Sequence, residues 1–153
     1  MAVTAKMVKE LRDITGAGMM DCKKALVEAD GDMDRAVEVL REKGLSKAAK
    51  KAGRIAAMGL VRTACSEDGK TAAIVEVNSE TDFVAKNDEF IGFVERLADL
   101  ALKAESNDMD AFKAMPFDGS TVGEALTALI AKIGENMSVR RIDKAAGEVL
   151  ATY

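Results

Sequence analysis

Catalysis usually needs a nucleophile, a proton carrier or a metal ligand, and this chain is poor in all three. Its 153 residues include no histidine and only two cysteines, Cys22 and Cys65. Without an imidazole, the commonest general base and metal ligand is missing, so nothing activates Cys22 or the serines. The cysteines form no CxxC and no cluster with metal-ligand spacing, and each reads as a small hydrophobe in a reducing compartment. Asp30, Asp32 and Asp34 begin like a calcium loop, but such a loop needs glycine at its sixth place and glutamate at its twelfth. Those places hold Arg35 and Arg41. No pair of carboxylates stands out for acid–base work. The expectation is a protein that is not an enzyme and carries no metal or cofactor of its own.

The more informative residues lie in the stretch Glu76-Val77-Asn78-Ser79-Glu80-Thr81-Asp82-Phe83-Val84-Ala85-Lys86. A strand-like alternation precedes it and a helical apolar period follows, so it is a short polar corner carrying one large ring. A residue at such a junction can be held rigidly and still be presented to a partner. The structural reading makes Ser79 and Asp82 a capping box and turns Phe83 into the core. Asp82 and Lys86 also have the spacing of a favourable helical pair. The other reading makes Phe83 a wedge for a partner. Pattern alone favours the inward ring, because most aromatics at element junctions are core.

The elements that must position this corner come from periodicity. Composition is 48% apolar and 31% charged, with 22 basic and 26 acidic side chains and a net charge of −4. That describes a globular chain able to bury a core and a poor default partner for nucleic acid. No apolar run approaches the ~20 residues of a membrane span, and Met1 to Lys6 lack a secretory h-region. A cytoplasmic protein with no membrane partner is expected.

Thr4 caps a first helix, Ala5 to Ile14, with Met7, Val8, Leu11 and Ile14 on one face. Thr15 to Gly18 break it. A second helix, Met19 to Ala29, has the stripe Met19, Cys22, Ala25, Leu26 and Ala29. A third, capped by Asp32, runs to Lys43 with Met33, Ala36, Val37 and Leu40 inward and Gly44 as its stop. Ser46 to Arg54 is basic and Ala-rich and reads as a partly helical linker. Its Lys47, Lys50, Lys51 and Arg54 lack the interleaved aromatics of a nucleic-acid site, so a solvated connector is favoured. Residues 1–54 thus form a three-helix unit with a basic linker, and residues 55–153 a second unit.

In that second unit, Met58 to Cys65 and Thr71 to Asn78 alternate like strands around the Asp68-Gly69 turn signal. Asp88 to Ala104 reads as a helix with Phe90, Ile91, Val94, Leu97, Ala98 and Ala101 buried. Glu105 to Gly119 is irregular, with a short helical piece at Asp110 to Ala114. Thr121 and Glu124 make a capping box for a helix that stops at Gly134. Met137 to Asp143 and Glu148 to Tyr153 read as two strands flanking a Lys144 to Gly147 turn, and a chain ending inside a strand pattern suggests a natural protein that continues. The order predicts an α+β fold with a mainly antiparallel sheet packed on helices.

Two segments carry a family resemblance: Leu11-Arg12-Asp13-Ile14-Thr15-Gly16-Ala17-Gly18-Met19-Met20-Asp21-Cys22-Lys23-Lys24-Ala25-Leu26, and the corner Glu76 to Lys86. Lys132-Ile133-Gly134-Glu135-Asn136 is a third match. In order and spacing these resemble the bacterial translation elongation factor Ts family. The resemblance implies a nucleotide exchange factor for the GTPase elongation factor Tu, with a ubiquitin-associated-like three-helix unit followed by a two-part α+β core. It implies that Thr81, Asp82, Phe83 and Val84 displace magnesium in the partner, with Phe83 as the wedge. It further implies that Arg12, Met19, Met20 and Lys23 contact the partner's nucleotide-binding domain, and that Ile133 and Gly134 contact the phosphate-loop side. The family usually continues into a second half-core that this chain lacks. The rival is a plain interaction adaptor built on the helical module, which would leave nucleotide release unchanged. A nucleic-acid binder working through the basic linker, and a hydrolase using Cys22, stand further off.

Overall fold

Caps and glycines punctuate the first forty residues where the sequence puts them. The computed structural model describes residues 2–153. Helix α1, Ala5–Thr15, starts where the Thr4 hydroxyl accepts from the Met7 amide, and ends at Gly16, whose φ of 67° is the left-handed value glycine adopts freely. Helix α2 is Met19–Glu28, and α3, Met33–Lys51, starts where the Asp32 carboxylate accepts from the Arg35 amide at 2.8 Å. Val8, Leu11, Cys22, Ala25, Leu26, Ala36 and Val39 close a small core among them. Ile14, expected inward, lies in the last turn of α1 and is largely exposed, while Val39 is buried and Val37 only partly so.

Helix α3 differs most from expectation. It passes through Gly44 and continues over the stretch read as a linker, to Lys51. Alanine, lysine and leucine favour that continuation, and the ~1 kcal/mol cost of an interior glycine is small beside tertiary packing. The packing partner is helix α7, Val122–Ile133: a Cβ at Gly44 would lie 4.0 Å from the Ala131 Cβ. Arg41 meets Glu124 at 2.7 Å, and Ala48 packs against the larger core.

Strands β1, Met58–Cys65, and β2, Thr71–Ser79, form an antiparallel hairpin in which Met58 faces Ser79 and Cys65 faces Ala72. Strand β5, Met137–Ala146, pairs antiparallel on the other side of β2, giving the order β1-β2-β5 with an irregularity between Glu76 and Val77. The α+β class with an antiparallel sheet is as expected. Helix α4, Asp82–Ala85, is a single turn. Helix α5, Asp88–Ala101, buries Phe90, Phe93, Val94, Leu97, Ala98 and Ala101. Phe93 was not expected inside; its ring meets Phe117 edge-on, 5.6 Å between centroids. Helix α6, Met109–Lys113, leads into a two-residue ladder of β3, Pro116–Phe117, with β4, Ser120–Thr121, and the Thr121–Glu124 capping box then starts α7.

The last two expected strands are one. Lys144 to Gly147 do not turn, because β5 stays paired with β2 as far as Thr71 opposite Ala146. The Lys144 ammonium donates to the Leu102 and Ala104 carbonyls, both at 2.8 Å, beyond the C-terminal end of α5, where a cation is favoured. Residues 148–153 are not strand; the Leu150 amide donates to the Gly69 carbonyl at 2.8 Å.

Candidate functional site

Strand β2 delivers the corner. Its far end is buried on both sides: Val77, Asn78 and Ser79 are all inside. The Asn78 side-chain amide donates to the Met58 carbonyl at 3.2 Å. Opposite, Gly59 has φ 140° and lies so close to β2 that a Cβ there would sit 2.1 Å from the Val77 carbonyl oxygen. The strand end is therefore a fixed platform.

The helical turn after it is capped by Thr81, not by Ser79. The Thr81 hydroxyl accepts from the Val84 amide at 3.4 Å, and the Ser79 hydroxyl donates to the Thr81 carbonyl at 2.9 Å. Asp82 does not return the second bond of a capping box. That part is taken from far along the chain by Glu135, whose carboxylate accepts from the Thr81 amide at 3.1 Å and the Thr81 hydroxyl at 2.7 Å. The adjacent Asn136 amide donates to the Glu80 carboxylate at 2.6 Å, and the Asn136 side chain donates to the Arg54 carbonyl at 2.7 Å. Arg54 itself approaches Glu80 at 3.5 Å.

On this platform the four residues Thr81 to Val84 divide. Val84 is buried, Thr81 and Asp82 are half-buried, and Phe83 is 82% exposed. The inward reading of Phe83 is overturned: capping by Thr81 puts Val84 and Ala85 on the core side of the turn and Phe83 on the other. The Asp82 carboxylate pairs with Lys86 at 2.9 Å, and the hydrogen bond and charge of that ammonium hold the carboxyl below its ordinary value.

Ile133 and Gly134 adjoin the corner through Glu135. Ile133 is half-buried against the larger core, and Gly134 ends α7 with φ 88°. Its space is open, so its backbone angle, not crowding, calls for glycine. On the other side of the α7 end, a cleft of about 590 Å3 is lined by Arg12, Gly16, Met19, Asp21, Ala131 and Lys132, among others. Met19 and Met20 are exposed, at 45% and 62%, and Lys23 is exposed one turn further along α2. The end of α7 thus adjoins both groups, the α1–α2 turn on one side and the Thr81 corner on the other.

The sequence reading does not foresee that Glu135, Asn136 and Glu80 hold the corner together. For Glu135 and Asn136 the signal is a Glu-Asn pair directly after a helix-ending glycine, with no helix of its own to cap. Cys22 is buried, and burial pushes its thiol up despite a weaker opposing pull from the Thr15 hydroxyl. Among the described residues no group of three or more histidine, cysteine or acidic side chains is placed to hold a metal. No described helix is long and apolar enough to cross a membrane.

Comparison with known proteins finds relatives that share one name. A family model described as "Elongation factor TS" matches residues 80–153. Elongation factor Ts of Clostridium perfringens is 63% identical over 143 residues, covering 93% of this chain and 47% of that protein. The Clostridium tetani protein of that name is 61% identical over 149 residues, covering 95% and 49%. The Alkalilimnicola ehrlichii protein is 52% identical over 155 residues, covering 100% and 53%. The chain spans about half the length of these curated relatives.

Proposed function

The chain belongs to the elongation factor Ts family, and on that premise we propose that it is a guanine nucleotide exchange factor acting on elongation factor Tu in translation elongation. The observation that carries this reading is Phe83: a large apolar ring, 82% exposed, on a turn fixed by hydrogen bonds to the adjacent residues Glu135 and Asn136, far along the chain. Such a group is preorganised to enter a partner, and ordering it on binding costs little.

The mechanism needs no catalytic side chain. GDP in a GTPase is held largely through its phosphates and the magnesium ion, the strongest local charge. Phe83 enters near that magnesium and displaces its ligands. Asp82, ionised at neutral pH, competes for the groups that orient the ion, and Thr81 and Val84 hold the turn. Arg12, Met19, Met20 and Lys23 dock on the nucleotide-binding domain, and Ile133 and Gly134 on the phosphate-loop side. Tight binding to the nucleotide-free GTPase weakens nucleotide binding, and by linkage rebinding of nucleotide weakens the factor by the same factor. The protein works in the cytoplasm, without membrane, nucleic acid or cofactor. The division into a helical unit, residues 1–54, and a core unit, residues 55–153, is part of this proposal, supported by the two hydrophobic clusters.

The test is release of a fluorescent GDP analogue from elongation factor Tu in excess magnesium, with this chain and with Phe83→Ala. The chain accelerates release, and the substitution lowers the saturating rate by about tenfold or more, as loss of a central aromatic anchor does. Binding with an unchanged release rate would instead identify an adaptor.

A further inference from the structure

Within the exchange reading Glu135 is assigned no contact with the partner, yet its carboxylate sits on the corner itself. The Glu135 carboxylate lies 2.7 Å and 3.1 Å from the hydroxyl and amide of Thr81, in a half-buried position. Thr81 is the cap of the turn that carries Phe83. A two-point bond from a carboxylate to one residue fixes both its place and its rotation, and charge-assisted bonds are roughly twice as strong as neutral ones. Asn136 adds a bond to Glu80 at 2.6 Å on one side and to Arg54 at 2.7 Å on the other. Residues 80 and 81 are thereby tied to residues 135 and 136, and the tie begins one residue after Gly134.

We propose that Glu135 is the positioning residue of the Phe83 wedge. Its carboxylate sets the angle at which the Asp82–Ala85 turn leaves the sheet. Because Glu135 follows Gly134 directly, it couples the seating of the Ile133–Gly134 turn on a partner to the aim of the ring. The proposal rests on the exchange reading for its consequence and on the hydrogen bonds alone for its mechanics, so the two are separable.

Two measurements test it. In the partner-free chain, Glu135→Ala raises amide exchange at Thr81 to Val84 by about tenfold, with Glu135→Gln intermediate because an amide oxygen keeps one acceptor. Unchanged exchange at those amides overturns the positioning role whatever the partner does. In the GDP-release assay, Glu135→Ala lowers the saturating rate by about tenfold, while the half-saturating concentration moves by less than about threefold, since a mis-aimed wedge is felt after docking. In a Phe83→Ala background the same change adds less than about twofold, because its effect runs through the ring. Equal losses in both backgrounds would show that Glu135 acts independently of Phe83 and would overturn the proposal. If Phe83→Ala alone leaves release unchanged, the exchange reading fails and the amide measurement still decides the mechanics. Should Glu135→Ala fail to fold, Glu135→Gln carries both assays.

Discussion

At the scale of single residues, Thr81 to Lys86 contain a choice the fold has made against its own stability. Burying a phenylalanine is worth about 1.5–3 kcal/mol, and the turn buries Val84 and Ala85 while leaving Phe83 in water. Phe83→Ala therefore changes the unfolding free energy by less than about 0.5 kcal/mol, checked by urea denaturation. A loss of 2 kcal/mol, about what a core ring would give, would mean that the ring packs inward in solution. Asp82 permits a second measurement. The bond and charge from Lys86 depress its carboxyl, which is solvent-accessible. A group titrating lower in the folded state favours folding above its unfolded range, and that contribution fades as pH falls through the folded value. The midpoint for Asp82, followed by NMR, lies below the ordinary aspartate value and rises toward it in Lys86→Met. An unchanged midpoint would show that the ion pair does not persist in solution.

At the scale of elements, the sequence was legible where a signal was local. The Thr4 and Asp32 caps, the Gly16 and Gly134 stops, the Thr121–Glu124 box and the β1–β2 hairpin were all read from a few adjacent residues. The misses share another cause: a long-range partner overrode local chemistry. Gly44 looks like a stop until α7 is seen beside it, and Lys144 to Gly147 look like a turn until β2 continues opposite them. The expected Ser79–Asp82 box is replaced at both ends: Thr81 is the cap and the carboxylate comes from Glu135. The corner itself was found, whereas the direction of Phe83 and the clamp that sets it were not, because both depend on residues far apart in the chain. Two glycines check this account. A Cβ at Gly44 meets only Ala131, at an ordinary 4.0 Å. Gly44→Ala therefore stabilises by about 0.5–1 kcal/mol through helix propensity alone. At Gly59 a Cβ would lie 2.1 Å from the Val77 carbonyl oxygen. Gly59→Ala therefore costs about 3 kcal/mol or more, because two paired strands cannot separate locally. Both are read from thermal or denaturant unfolding, and a destabilising Gly44→Ala would mean that α3 breaks there after all.

At the scale of the whole molecule, α3 is the element that matters. Its first half closes the small core with α1 and α2, and its second half lies along α7 on the larger one. A continuous helix shared by two cores transmits unfolding between them, so the two clusters melt as one unit although each has its own apolar interior. Leu26 in the small cluster and Leu97 in the large one are both fully buried, so they allow the same chemical change on either side. Leu26→Ala and Leu97→Ala each cost about 2–5 kcal/mol. Each therefore lowers the single calorimetric transition by about 4 °C or more, with calorimetric and van't Hoff enthalpies remaining equal. If Leu26→Ala instead splits off an early transition and leaves the main one at the parent Tm, the helical unit is hinged rather than fused. The difference bears on exchange: a fused α3 holds the Arg12–Met19 cleft against the end of α7, and the end of α7 holds Thr81. On the proposed exchange reading, docking of the helical unit and insertion of Phe83 then belong to one rigid surface, and a partner gripping the first is presented with the second at a fixed angle.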